Sequence, residues 1–352
     1  RDLPGIGPNR YPLPGVIRLE FLSPCAHPRR GDLEARGAAP DAHPDPEGAA
    51  LISRRPRPAR IKSSMPALEH APRLIVNADD LGLSAGIDRA IFEGHDQGIV
   101  TSASLMATGA SFAHAVAGVR ARPRLGCGIH LVLHDEEPVL DPSRIPSLVG
   151  ANGRLKPLRE AVRGLLFGAS EASEIEAEYA AQIQRARDAG IHPSHLDSHC
   201  HLHAFPSVGP IVHALGERFG IPCARQPEAG SWSDYRAAPF ARYPLALLIT
   251  ASHRFTKRRV ARSLLSPDRF LGLVHSGALD VGWMTRAIDE LEPGVVAEIM
   301  VHPGDGSGDD QPAGDHGPYR RRVELEAVTS PLVIEAVRRR GVELIDYRAL
   351  VS

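Results

Sequence analysis

Cysteine is scarce in this chain and nowhere paired. Cys25, Cys127, Cys200 and Cys223 form no CxxC motif and no even framework of spacings, which argues against a disulfide scaffold and against a structural zinc site built from thiolates. A reduced, cytoplasmic compartment is the expectation. Long apolar runs are missing as well: the longest candidate, "YPLALLIT", falls far short of the roughly 18 to 20 residues a membrane span needs. The first residues lack the basic, apolar, small-residue order of a secretory signal. Charge of one sign does not dominate, since 41 Lys plus Arg offset 42 Asp plus Glu; there is no global basic field for a nucleic acid to meet, which leaves a small or local ligand. HExxH, GxSxG, a Walker loop and the HxE with PCxxC of base deaminases are all absent, so the commonest signatures of rival chemistries are missing.

What is present begins with length. At 352 residues and 43% hydrophobic, the chain can bury a substantial core in one large domain. Residues 1 to about 70 are dense in Pro, Arg, Ala and Gly ("SRRPRPARIK"), with no apolar periodicity to offset the entropy of ordering them. They are expected to be a disordered or non-native N-terminal extension. Met65 stands eight residues before the first clear strand while the chain opens on Arg1, so translation from Met65 and an over-extended gene start are the expectation. Residues 71–352 are then a single domain.

From Arg73 onward, short β-rich runs alternate with helical patterns, the signature of βα units around a parallel sheet. About seven strands are predicted, at 73–78, 102–107, 125–133, 195–199, 221–226, 295–302 and 342–347. Helices are predicted at about 85–97, 110–121, 172–189, 207–219, 236–265, 284–291 and 320–340. No Gly-rich dinucleotide turn accompanies them, which favours a barrel over a nucleotide-binding open sheet. "HPGDGSGDDQPAGDHG" reads as a loop long enough to cap a site.

Reactive groups collect at strand ends. "RLIVNADDLG" places Asp79 and Asp80 at the C-terminal tip of a strand, where one carboxylate can bind a metal and the other take a proton; the plainer alternative is that one of them caps the next helix. His130 sits inside the apolar strand "GCGIHLVLH", as a ligand or as a core histidine. The densest cluster is "SHLDSHCHLHAF". If 195–203 is extended throughout, period-two alternation puts His195, Asp197, His199, His201 and His203 on one face. Five such groups exceed what one ion needs, so some orient ligands or touch substrate; a merely soluble His-rich turn is the alternative. His302, ending "EIMVH" before Pro-Gly, is a natural general acid because imidazole titrates near neutrality.

Taken together, "NADDLG", "GIHLVL", "LDSHCHLH" and "VHPGD", in this order and spacing across about residues 73 to 350, resemble the YdjC-like carbohydrate deacetylases. "HLVLHDEEPVLDPSRIPSLVGANGRL" and "PDRFLGLVHSG" are similar to the subgroup associated with hopanoid biosynthesis. The resemblance implies an irregular (β/α) barrel of the glycoside hydrolase/deacetylase type. It also implies a metal-dependent hydrolase removing acetyl from an N-acetylated amino sugar, here the N-acetylglucosaminyl group of a bacteriohopanetetrol lipid, with chito-oligosaccharide deacetylation as the alternative. It assigns the ligands of one divalent ion, Mg²⁺ or Zn²⁺, to Asp80, His130 and His199 and the base to Asp79, and His302 occupies the family's HPG position. The family commonly has Phe where this chain has Leu81, which keeps the apolar character.

Asp197, His201 and His203 are left to orient ligands or face substrate; Arg225, at the end of its strand, could orient a carboxylate or a sugar, and could equally cap a helix or sit in a surface salt bridge. Residues 235–267 carry seven Arg or Lys and no acid, which reads either as an outer helical layer with a solvated basic face or as a helix lying on the membrane surface. Another metal hydrolase, such as a phosphoesterase, and a non-catalytic metal- or glycan-binding protein are the competing classes. Oligomeric state stays open, a homodimer included.

Overall fold

A computed structural model describes residues 71–229, 243–260, 264–308 and 319–351. The expected extension at 1–70 lies outside them, as do 235–242 and 261–263 of the basic segment and 309–318 of the Gly/Asp-rich loop.

Among the described residues, eight parallel strands make one sheet: β1 Arg73–Leu81, β2 Ser102–Leu105, β3 Gly126–Leu131, β4 His195–Ser198, β5 Cys223–Ala224, β6 Arg269–Leu271, β7 Val296–Val301 and β8 Glu343–Leu344. Seven run in the order β5-β4-β3-β2-β1-β7-β6, and β8 pairs with the start of β1. Parallel neighbours require crossovers. These are helical: α1 Ala85–Gln97, α2 Phe112–Arg120, α3 Leu158–Phe167, α4 Ala172–Asp188, α5 Gly209–Phe219, α6 Tyr243–Lys257, α7 Val281–Asp289, α8 Arg321–Thr329 and α9 Pro331–Arg340. With helices on its outer face and its own curl inside, the sheet is covered on both sides, so β1, β3 and β7 read as near-continuous buried runs. The two edges are brought together by one stretch of chain. Ala224 donates to the Leu265 carbonyl and Leu265 to that of Pro222, each at 2.9 Å, and β6 begins four residues further on. The expected irregular barrel is thereby formed.

Four elements depart from the periodicity reading. β6 was not among the predicted strands because three residues between Pro267 and Gly272 carry no alternation. "VELIDY" contributes only the two-residue β8 before a 3-10 turn at Tyr347–Leu350. The helix predicted over 320–340 is two helices: Pro331 cannot donate to a continuing ladder, and Ser330 stays extended and caps the second by accepting from the Leu332 N–H. α3 was overlooked, although Leu158, Ala161, Val162 and Leu165 have the spacing of a helix face.

His195 is a core residue. Its ring stacks on Tyr347 with centroids 3.8 Å apart, and its nitrogens face Ser104 Oγ at 3.1 Å and Ser194 Oγ at 3.0 Å. Gly128 makes the room, for a Cβ there would lie 2.3 Å from the ring. Burial lowers the imidazole pKa to about 4. Its unfolded value is near 6.5, so the stability it contributes is present above pH 6.5 and is lost as pH falls from there through 4. One such group is worth on the order of 3 kcal/mol over that window. Urea unfolding at pH 7 and pH 4.5 should show this loss, and His195→Asn should make the decline shallower by about one proton; an unchanged slope would refute the assignment.

Candidate active site

Five strand ends converge at the C-terminal mouth of the barrel, where βα folds carry their chemistry. β1 delivers Asp79 and Asp80. Its register against β2 slips between Ala78 and Leu81, and Asp80 adopts a left-handed φ of 68°, so the strand bulges and both carboxylates turn into the mouth. Neither caps α1. That task falls to Ser84, whose side chain accepts from the Ile87 N–H.

Asp80 Oδ1 lies 3.1 Å from His199 Nδ1 and 3.5 Å from His130 Nε2. The oxygen is buried without an aligned hydrogen bond, and the three donor atoms lie within 4.8 Å of one another. Metal bonds of 2.0–2.1 Å place neighbouring ligand atoms about 3.0 to 3.4 Å apart. The separations from Asp80 Oδ1 are close to that range, and two imidazoles with one carboxylate suit a divalent ion. The second Asp80 oxygen is held by Arg321 Nη2 at 2.9 Å. Burial alone would raise the Asp80 carboxyl, but His199 and Arg321 outweigh it and hold it well below the usual range.

His130 is braced from behind, with Nδ1 2.8 Å from Asp197 Oδ1, which leaves Nε2 facing Asp80. Burial disfavours its protonation, yet the Asp197 and Asp79 carboxylates prevail and lift it to about 9. Asp197 also accepts from Ser104 Oγ at 2.7 Å. It is thus an orienting residue within the protein.

Asp79 is gripped by Arg225 through two 2.6 Å bonds and accepts from Asn77 Nδ2 at 2.9 Å. Its Oδ2 lies 3.9 Å from both His130 Nε2 and His302 Nε2. Arg225 is fully buried and also meets Asp197 at 3.0 Å and Glu298 at 2.8 Å. It is therefore neither a surface salt bridge, a helix cap nor a sugar contact: it gathers three carboxylates. Tyr347 donates to the far oxygen of Glu298 at 2.6 Å, and burial raises Glu298 to about 7. His302 stacks on Tyr319 at 4.8 Å and donates its backbone N–H to Glu324. Burial lowers its pKa to about 4 in spite of Asp80 and Asp79. His302 therefore rests neutral and can act as an acid only with a proton acquired during turnover.

The cluster 195–203 is not extended throughout. β4 ends at Ser198, and Cys200 and His201 take left-handed φ values of 54° and 56° in a tight turn. Ser198 Oγ holds that turn, accepting from the His203 N–H at 2.9 Å and lying 2.6 Å from His203 Nδ1. Alternation fails here: His201 faces the cleft, edge-on to Phe270 at 5.7 Å, whereas His203 points into a separate small pocket beside His253 and Thr256. Burial keeps both uncharged, His203 at about 3 and His201 well below its ordinary value.

The cleft above these groups has a cavity volume of about 230 Å³ and opens to solvent. Asp79, His130, His199 and His302 form its floor, and Leu158 and Val162 of α3 face Leu245, Leu248 and Ile249 of α6 across it. Sequence reasoning missed Arg321, Glu324, Tyr319 and Glu298. Arg321 was hidden in the run "YRRR", which reads as a solvated helix start until its burial is seen.

A carbohydrate deacetylase of Geobacillus stearothermophilus is 34% identical over 276 residues, covering 78% of this chain and 96% of the relative. A chitooligosaccharide deacetylase of Klebsiella pneumoniae (strain 342) is 34% identical over 280 residues, covering 78% and 98%. In fold the chain is similar to a crystal structure from Enterococcus faecalis V583, described as a cellobiose-phosphate cleavage protein, with a TM-score of 0.65, 25% identity and coverage of 80% and 99%. The class so defined is that of the carbohydrate deacetylases, and the chain is an enzyme, a hydrolase. It belongs to the YdjC-like protein family, whose model matches residues 73–339.

Proposed function

We propose that this enzyme is a metal-dependent N-deacetylase whose amino sugar is carried on an apolar group, the N-acetylglucosaminyl group of a bacteriohopanetetrol lipid being the substrate that fits. The observation that carries this is the aliphatic wall of the cleft directly above the acid-and-imidazole floor. An oligosaccharide would leave Leu158, Val162, Leu245, Leu248 and Ile249 against polar hydroxyls, whereas a hydrocarbon aglycone removes them from water.

Asp80, His130 and His199 would hold the ion. A divalent ion there supplies polarisation of the amide carbonyl and a lowered pKa for water. Asp79, fixed by Arg225 and Asn77, takes the proton of the attacking water. Neutral His302, with Asp79 Oδ2 at 3.9 Å, receives from Asp79 the proton taken from water and delivers it to the leaving amine nitrogen as the C–N bond breaks, which returns Asp79 to its carboxylate. The products are acetate and the free amino sugar.

The competing classes fit less well. A phosphoesterase needs cations at the mouth to meet the anion, yet Arg225 and Arg321 are both committed to carboxylates. A non-catalytic binding protein has no use for Asp79 and His302 beside the donor set.

The same reading extends to the membrane. Leu245 and Leu247 of α6 are 60% and 56% exposed, and Phe167 at the end of α3 is 79% exposed. Arg254, Lys257, Arg258 and Arg259 follow along and just beyond α6. This combination suits peripheral contact with an anionic leaflet. Acetate release from an N-acetylglucosaminyl lipid and from chito-oligosaccharides, assayed in parallel, is expected to favour the lipid by about tenfold or more in kcat/KM. Co-sedimentation with anionic liposomes at moderate salt is expected as well. Preference for the oligosaccharide would overturn the lipid substrate while leaving deacetylation intact, and absence of liposome binding would overturn the membrane contact.

A further inference from the structure

His199 has a braced histidine on each side. On one side is His130, with rings 5.5 Å apart and Asp197 behind Nδ1 at 2.8 Å. On the other is His134, whose ring stacks on that of His199 at 4.9 Å and whose Nδ1 lies 2.9 Å from Asp135 Oδ2. A carboxylate on Nδ1 turns Nε2 outward and raises its basicity, the arrangement that metal-binding histidines use. The mechanism above employs the first of these pairs and has no task for the second.

Beside His134 and His199 stands Cys200, and one donor atom from each of the three lies within 4.8 Å of the others. Backbone strain points to the same place. Among the described residues the non-glycine positions with positive φ are Asp80, Asp135, Cys200 and His201. Asp80 belongs to the first donor group, Asp135 braces His134, and Cys200 is itself a donor. Left-handed backbone is disfavoured for such residues and persists where surrounding structure enforces it, commonly at functional sites.

We propose that His134, His199 and Cys200 form a second metal site, selective for thiophilic ions such as Zn²⁺ and Cd²⁺, that competes with Asp80 and His130 for His199 and so inhibits the enzyme when such an ion is in excess. Cys200 binds as the thiolate, its proton passing to solvent. A thiolate with two imidazoles favours these ions over Mg²⁺, which prefers oxygen donors. The inhibitory consequence rests on Asp80, His130 and His199 holding the catalytic ion; the binding site itself does not.

The test is a Cd²⁺ titration of the full chain, followed by the sulfur-to-metal charge-transfer absorption, beside acetate release at rising Zn²⁺. The intact protein should show the thiolate band as the ion takes His199 into this site. Cys200→Ser should lose the band contributed by this site. His134→Gln, which keeps the thiol, should weaken Cd²⁺ binding at this site by about tenfold or more. Activity should fall as Zn²⁺ is raised into excess in the intact protein and persist in Cys200→Ser. An unchanged band in Cys200→Ser would overturn the site, and equal zinc inhibition in both proteins would overturn the competition. If the band behaves as stated but no acetate is released at any metal level, the deacetylase reading fails and the second site stands.

Discussion

Asp79→Asn is expected to keep its divalent ion at full stoichiometry while acetate release falls by about 10²- to 10⁴-fold, the usual contribution of a positioned base. The amide is nearly isosteric and can still accept from Arg225, but it cannot take a proton from water. His199→Ala should behave differently. It removes the nitrogen 3.1 Å from Asp80 Oδ1, so the ion itself should be lost along with activity. Metal analysis of each purified variant beside an acetate assay separates the two effects. If both variants deacetylate normally, the division of labour between Asp79 and the donor set is wrong.

Arg225→Met should have the largest effect on stability. The guanidinium is enclosed by Asp79, Asp197 and Glu298 at 2.6, 3.0 and 2.8 Å, and all four side chains are buried. Removing it leaves three carboxylates without their common partner, and breaking a buried ion pair on one side costs about 3–5 kcal/mol. In a domain of this size that corresponds to a drop in Tm on the order of 10 °C. Arg225→Lys tests orientation separately from charge. A lysine keeps the positive charge but cannot make the paired bonds to Asp79, so it should recover much of the stability while kcat stays depressed. A melting temperature within a degree or two of the parent for Arg225→Met would show that the carboxylates find other partners.

Residues legible from the sequence were those whose signal is local. The strand that ends in Asp79 and Asp80, the lone imidazole of His130 in an apolar run and the histidine before Pro303 all announce themselves within ten residues. Buried parallel strands must be apolar along their length, so any polar group at the tip stands out. Two kinds of feature escaped. Very short elements such as β6 have no period to read, and the turn at Cys200–His201 depends on left-handed backbone that no residue there demands. Extended geometry was the simplest assumption for 195–203, and it sent His203 to the wrong side.

The sequence by itself determined the alternation of strands and helices and the family to which the chain belongs. It also marked Asp79, Asp80, His130, His199 and His302 as the groups of interest, because apolar periodicity and motif spacing are properties of neighbouring residues. Only the tertiary structure decided which atom faces which. Arg321 meets Asp80 across 241 positions and Arg225 meets Asp79 across 146. Those pairings are set by barrel closure, which brings distant strand ends to one mouth and leaves buried charges no stable state except against each other.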